Sequence, residues 1–132
     1  MTHHDRNWTF ALLSFAASLL LAPGCFAQVP GFARSEGRFA VSTERCLEQA
    51  SRAFKSRGFT VTDVFAETHV VFAKREIDVA AIACNEAPGR MTWVNIVVAS
   101  SSGDNAPALR EAQTLIDQME RLARERRERD RR

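Results

Sequence analysis

The chain has 132 residues, a net charge of +2, three cysteines and three histidines, with 45% hydrophobic residues. That length holds one domain with one modest core. A charge so close to balance gives no global electrostatic reason to bind nucleic acid.

From Trp8 to Ala22 the sequence is almost uninterrupted apolar residues. Pro23-Gly24 then breaks the run, and small residues follow at Cys25 and Ala27. This pattern predicts a secretory signal peptide over residues 1–27, cut between Ala27 and Gln28. Two other readings stay open. A retained membrane anchor would have to cross a ~30 Å hydrocarbon layer with an apolar run of only about 15 residues. Lipidation at Cys25 has the small Gly24 it needs, although Ala22 and Pro23 depart from the usual lipoprotein pattern. Membrane contact is expected only in that lipidated form.

Residues 28–36 read as a flexible lead. Residues 37–41 predict a short first strand with Phe39 and Val41 on one side. Ser42 is a good N-cap, and Glu44 suits a first helical turn. Cys46, Leu47, Ala50, Ala53 and Phe54 then recur on one helical stripe, and Gly58 marks the stop, so a helix is expected over 42–57. β-branched, alternating runs follow at 60–65, 69–74 and 79–84, with a break suspected near Glu67. A turn is expected over 85–90 around Pro88-Gly89. Residues 91–99 are apolar on both faces, with Trp93, Val97 and Ala99 on one and Val94, Ile96 and Val98 on the other. Such a strand belongs inside a sheet or covered on both sides. A polar loop, Ser100 to Asn105, precedes a helix over 105–124 with its stripe at Leu109, Ala112, Leu115, Ile116, Met119 and Leu122. Residues 125–132 form a charged tail.

The expected fold is α+β. It is a two-layer sandwich ordered β-α-β-β-β-α, an antiparallel sheet of four to five strands with two helices on one face, in a single domain over 37–124. Export gives the cysteines their meaning. Without Cys25, only Cys46 and Cys84 remain, an even number in an oxidising compartment. A disulfide between them closes a 38-residue separation, worth on the order of 3–4 kcal/mol in the chain-entropy model. The alternative is two buried free thiols packed as small hydrophobes. Ala80, Ile82 and Cys84 share a strand face, so Cys84 lies opposite Cys46 if that face meets the first helix.

Several features resemble a group of small exported bacterial proteins of unknown function. They are a helix carrying an early Cys46 and ending in Gly58-Phe59, a strand ending in Cys84, and Val97-Val98-Ala99 entering a Gly/Asp loop. The resemblance runs from Cys46 to about Met119. It implies a two-cysteine α/β sandwich located in the periplasm or outside the cell, and it brings no activity with it.

Candidate chemistry is sparse. His69 is the only histidine beyond the leader. On a continuous strand Asp63, Glu67 and His69 would share a face and form an O,O,N metal set. A break near Glu67 would destroy that set, leaving a solvent-facing polar edge. The loop Ser100–Asp104 would bind an anion at the following helix or merely cap it. It has no second histidine to support nucleophilic catalysis. Met91 and Trp93 form a candidate docking patch on the sheet face away from the helices; the alternative is that they cover the edge of the core. The arginine-rich tail would meet anionic lipid or polymer, but Glu125, Glu128 and Asp130 argue for a solvated helix end.

The sequence therefore predicts a non-enzymatic exported binding or interaction module, periplasmic or extracellular. It requires no cofactor, and its partner is another protein, an envelope ligand or a second copy of the chain (a homo-oligomer). The second reading is a periplasmic metal-handling protein that uses His69 and nearby carboxylates.

Overall fold

The computed structural model describes residues 30–132. The expected signal peptide over 1–27 and the candidate lipidation site at Cys25 lie outside the described residues. Seven elements follow in chain order: β1 (Gly31–Phe39), α1 (Thr43–Ser56), β2 (Thr60–Phe65), β3 (Val70–Arg75), β4 (Asp78–Ala87), β5 (Met91–Ser100) and α2 (Asn105–Asp130). The strands form one antiparallel sheet in the order β1-β5-β4-β3-β2. It is the α+β two-layer arrangement, with both helices packed on one face.

Three boundaries differ from the sequence reading. Residues 31–36, expected as a flexible lead, are strand. β1 ends at Phe39 and pairs along its whole length with β5, from Gly31 opposite Ser100 to Phe39 opposite Thr92. The alternation of Phe32, Ala33 and Arg34 had been obscured by glycines at both ends of the segment. The turn expected over 85–90 shrinks to residues 88–90, because β4 carries on to pair Ala87 with Met91. Gly89 and Arg90, at φ 80° and 58°, close it. The tail over 125–132 is mostly helix, since α2 runs to Asp130. Charges four residues apart line the approach to it, with Arg121 ion-paired to Glu125 at 3.8 Å and Arg124 paired with Glu120. Such pairs support an exposed helix.

α1 forms where its caps demand. The Ser42 side chain accepts from the backbone N–H of Arg45. At the other end Gly58 takes φ 77°, which a side chain would strain. The N–H of Phe59 then reaches the carbonyl of Phe54 (3.0 Å), and that of Gly58 reaches Lys55 (3.1 Å). This Schellman closure brings the rings of Phe54 and Phe59 to 5.4 Å. The buried stripe of α1 is Cys46, Leu47, Ala50, Ala53 and Phe54, and α2 contributes Ala112, Leu115, Ile116 and Met119. They meet the inward-facing Val71, Ala73, Ala80, Ile82, Cys84, Val94, Ile96 and Val98 in one core.

Within that core Cys46 and Cys84 are joined by a disulfide, with Cα atoms 6.1 Å apart and both residues fully buried. The bond links α1 to the middle strand of the sheet. Free thiols are thus not the state of this pair.

Candidate functional site

Strand pairing sorts every residue of the sheet to one face or the other, because partners across a ladder point the same way and neighbours along a strand point opposite ways. One row on the face away from the helices runs Arg34–Val97–Ala81–Phe72–Asp63 across β1, β5, β4, β3 and β2. The next row on one side is Phe32–Ala99–Val79–Lys74–Thr60, and on the other Glu36–Asn95–Ala83–Val70–Phe65. The middle strand of this outer face is therefore apolar in all three rows; Arg34, Glu36 and Asp63 stand on the edge strands, and Lys74 on β3 is the one charge nearer the centre. Among the described residues no element covers it. Phe32 is 59% exposed, Val79 56%, Phe65 50% and Phe72 38%.

A soluble sheet with one solvated face normally alternates apolar in and polar out. Here the outward positions are apolar as well. Contiguous exposed apolar patches are uncommon on monomeric soluble domains. Phe65 and Phe72 lie edge to face at 5.8 Å, giving the patch a firm aromatic corner.

Met91 and Trp93 belong to the same face, on the outward side of β5. Trp93 is 36% exposed, and the Arg38 guanidinium sits 4.7 Å from its ring centroid. The two residues form one end of a larger surface rather than an isolated spot. Phe32, Phe72, Val79 and Val97 are its main body. The sequence signal for it was the two-sided apolar character of 91–99, but the matching rows on β3 and β4 emerge only from register. Phe32 joins it because β5 draws residues 31–36 into the sheet.

Asp63, Glu67 and His69 are not brought together. β2 ends at Phe65 and residues 66–69 turn, with His69 at φ 52°. A bulge between Val61 and Asp63 also shifts the register of β2. The continuous strand that would have aligned the three side chains does not exist, and among the described residues no group of three or more His, Cys, Asp or Glu is placed to hold a metal ion. His69 instead sits near the start of α1. There the carboxyl of Glu44 is held below the usual range by its own backbone N–H and the Ser42 hydroxyl, with a smaller pull from His69.

The loop before α2 acts as a cap. The Asp104 carboxylate accepts from the N–H of Ala106 at 2.9 Å, and Asn105 Oδ1 accepts from the N–H of Phe32 at 2.8 Å. That second bond ties the start of β1 to the start of α2. An open cleft of about 560 Å³ lies at the opposite end of the sheet, lined by Ser42, Arg45, Glu86, Arg90 and Met91 among others.

A charge cluster that sequence reading missed joins three elements. Glu111 on α2 accepts from Arg57 at 3.0 and 3.2 Å and from Arg75 at 3.0 Å. Arg75 also reaches Asp78 at 2.9 Å and the carbonyl of Arg57 at 2.8 Å, while stacking 4.3 Å over the ring of Phe59. Burial pushes the Glu111 carboxyl up, but the two guanidinium groups outweigh it and hold the carboxyl below its ordinary value. Every charge in the cluster is paired, so it braces the helix layer to the sheet and leaves no idle acid or base.

No protein-family model matches the chain, and no curated protein matches it. No described helix is long and apolar enough to cross a membrane. Fold and surface together define the class: a disulfide-stapled two-layer α+β domain with one apolar sheet face left open.

Proposed function

We propose that this protein is a non-enzymatic exported interaction domain that binds a polypeptide through the outer face of its sheet. The observation that carries the reading is the run of outward-facing apolar side chains on that face, Phe32, Val97, Val79, Phe72 and Phe65, one from each of the five strands. Export is supported by the buried Cys46–Cys84 disulfide, since such bonds persist in oxidising compartments. It is supported also by the apolar leader and by the resemblance to small exported two-cysteine proteins. The disulfide near the start of α1 and the Glu111 cluster near its end both tie the helix layer to the back of the sheet. An apolar surface carried on hydrogen-bonded strands binds with a smaller ordering cost than a flexible segment.

The test places a photo-crosslinking amino acid at position 97 in the exported protein, and as a control at position 124 on α2. Adducts to polypeptide are expected at position 97 and not at position 124. No adduct at 97, or equal adducts at both, sinks the reading.

A further inference from the structure

Resting on the reading above, we infer that the polypeptide bound by the outer face is a second copy of this chain, stacked sheet on sheet about a two-fold axis that runs along β4. Three observations carry it.

The first is position. β4 is the middle strand of five, with β5 and β1 on one side and β3 and β2 on the other. A two-fold along β4 lays each row of one copy over the same row of the other, reversed from edge to edge. The face is then self-complementary, as an isologous interface must be.

The second is charge. The central row begins with Arg34 at the β1 edge and ends with Asp63 at the β2 edge. Reversal sets Arg34 of each copy over Asp63 of the other, at both ends of the interface. It also sets Val97 over Phe72 and places the small Ala81 on the axis, so the central row is apolar between its two charged ends, while Lys74 of each copy lies over Ala99 of the other and must extend its ammonium along β3 toward solvent. Sheets stack about 10 Å apart with their strands rotated by roughly 30°. An arginine and an aspartate facing each other at the rim span that gap. Arg34 already holds Glu36 at 3.1 Å and Asn95 at 2.7 Å, which points it along the face instead of into solvent at random.

The third is area. Five strands about 4.8 Å apart, each offering roughly seven residues at about 3.4 Å, give a footprint on the order of 500–600 Å². Two such faces bury on the order of 1,000–1,200 Å² together, which clears the ~1,000 Å² expected of a specific interface.

The experiment is sedimentation of the purified exported protein over a concentration series, with three kinds of variant. The wild type is expected to sediment as a dimer at about 10 μM. Val97→Glu and, separately, Phe72→Lys are expected to raise the dimer dissociation constant by about 100-fold or more, since each buries a charge at the centre. Circular dichroism matching the wild type shows that either variant has folded, and one folded variant is sufficient. Arg34→Asp and Asp63→Arg are each expected to weaken the dimer roughly 3- to 10-fold, and the double swap to recover most of the loss. A wild type that stays monomeric up to about 100 μM overturns the inference. So does a dimer unmoved by Val97→Glu and Phe72→Lys, or a double swap that is no better than the single ones. The two proposals fail separately. A monomeric chain that still crosslinks at position 97 to a different polypeptide overturns the two-fold dimer and leaves the interaction reading standing.

Discussion

Removing the Cys46–Cys84 bond tests the stapled core most directly. The two cysteines are 38 residues apart, and each is fully buried, one on the inner stripe of α1 and the other on the inner face of β4. In the chain-entropy model, opening a loop of that size returns about 4 kcal/mol of freedom to the unfolded chain. Replacing both residues with alanine keeps the site apolar, so no unpaired polar group complicates the comparison. The small cavities left by the two sulfurs add to the cost. For a domain of this size about 4 kcal/mol lowers Tm by roughly 15–25 °C, and shifts the urea midpoint by about 2–3 M at an m-value in the lower part of the usual range. The assay is equilibrium urea unfolding of the wild type, the wild type with its disulfide reduced, and Cys46→Ala/Cys84→Ala. The two forms without the bond should agree within about 1 kcal/mol, and their m-values should exceed that of the oxidised wild type, because an unlinked chain expands further on unfolding. A double-alanine variant within about 1 kcal/mol of the oxidised protein refutes the loop-entropy reasoning.

Other outcomes follow from particular contacts. Glu111→Gln strips the carboxylate from between Arg57 and Arg75 and should cost about 1–3 kcal/mol in urea unfolding. The Glu111 carboxyl is held low in the folded state, so its contribution is complete above the ordinary carboxylate pKa, near 4.5, and fades as pH falls below it. Stability measured from pH 6 down to pH 3 should therefore drop more steeply in the wild type than in Glu111→Gln; parallel curves would discount the cluster. Gly31→Ala would put a Cβ 2.3 Å from the backbone oxygen of Asp104, so β1 or the start of α2 must shift. A loss of about 1–3 kcal/mol is expected, with faster amide exchange at Phe32, whose N–H bonds Asn105. Trp93→Ala removes a half-exposed ring and its contact with Arg38, and should change Tm by only a few degrees; a loss as large as that of the disulfide would place Trp93 in the core instead.

Much of the fold was legible because local chemistry and periodicity agreed along the chain. The stripe from Cys46 to Phe54, the Ser42 cap and the Gly58 stop define α1 without reference to anything distant. The Pro88-Gly89 turn and the apolar run over 91–99 place β5 inside the sheet. Counting cysteines outside the leader left a single pair to join. What failed locally were segments whose structure is imposed from elsewhere. Residues 31–36 become strand only because β5 offers them a full ladder, whereas the acids interleaved in the arginine-rich tail already argued for a helix end, and α2 runs on to Asp130. Asp63, Glu67 and His69 look aligned in one dimension, yet a bulge and a left-handed turn point them apart.

The amino-acid pattern alone determined which residues are apolar and at what period, and therefore that two amphipathic helices would cover one side of a sheet. Only the tertiary arrangement decided which apolar residues remain in water. That depends on register, which sets Val97, Ala81 and Phe72 side by side on the open face, and on strand order, which puts Arg34 and Asp63 at opposite ends of their row. Glu111, Arg57 and Arg75 likewise become one cluster only when α2 lies across the end of α1. Periodicity is a property of neighbours along the chain, whereas a binding face is assembled from residues tens of positions apart, and only folding brings those together.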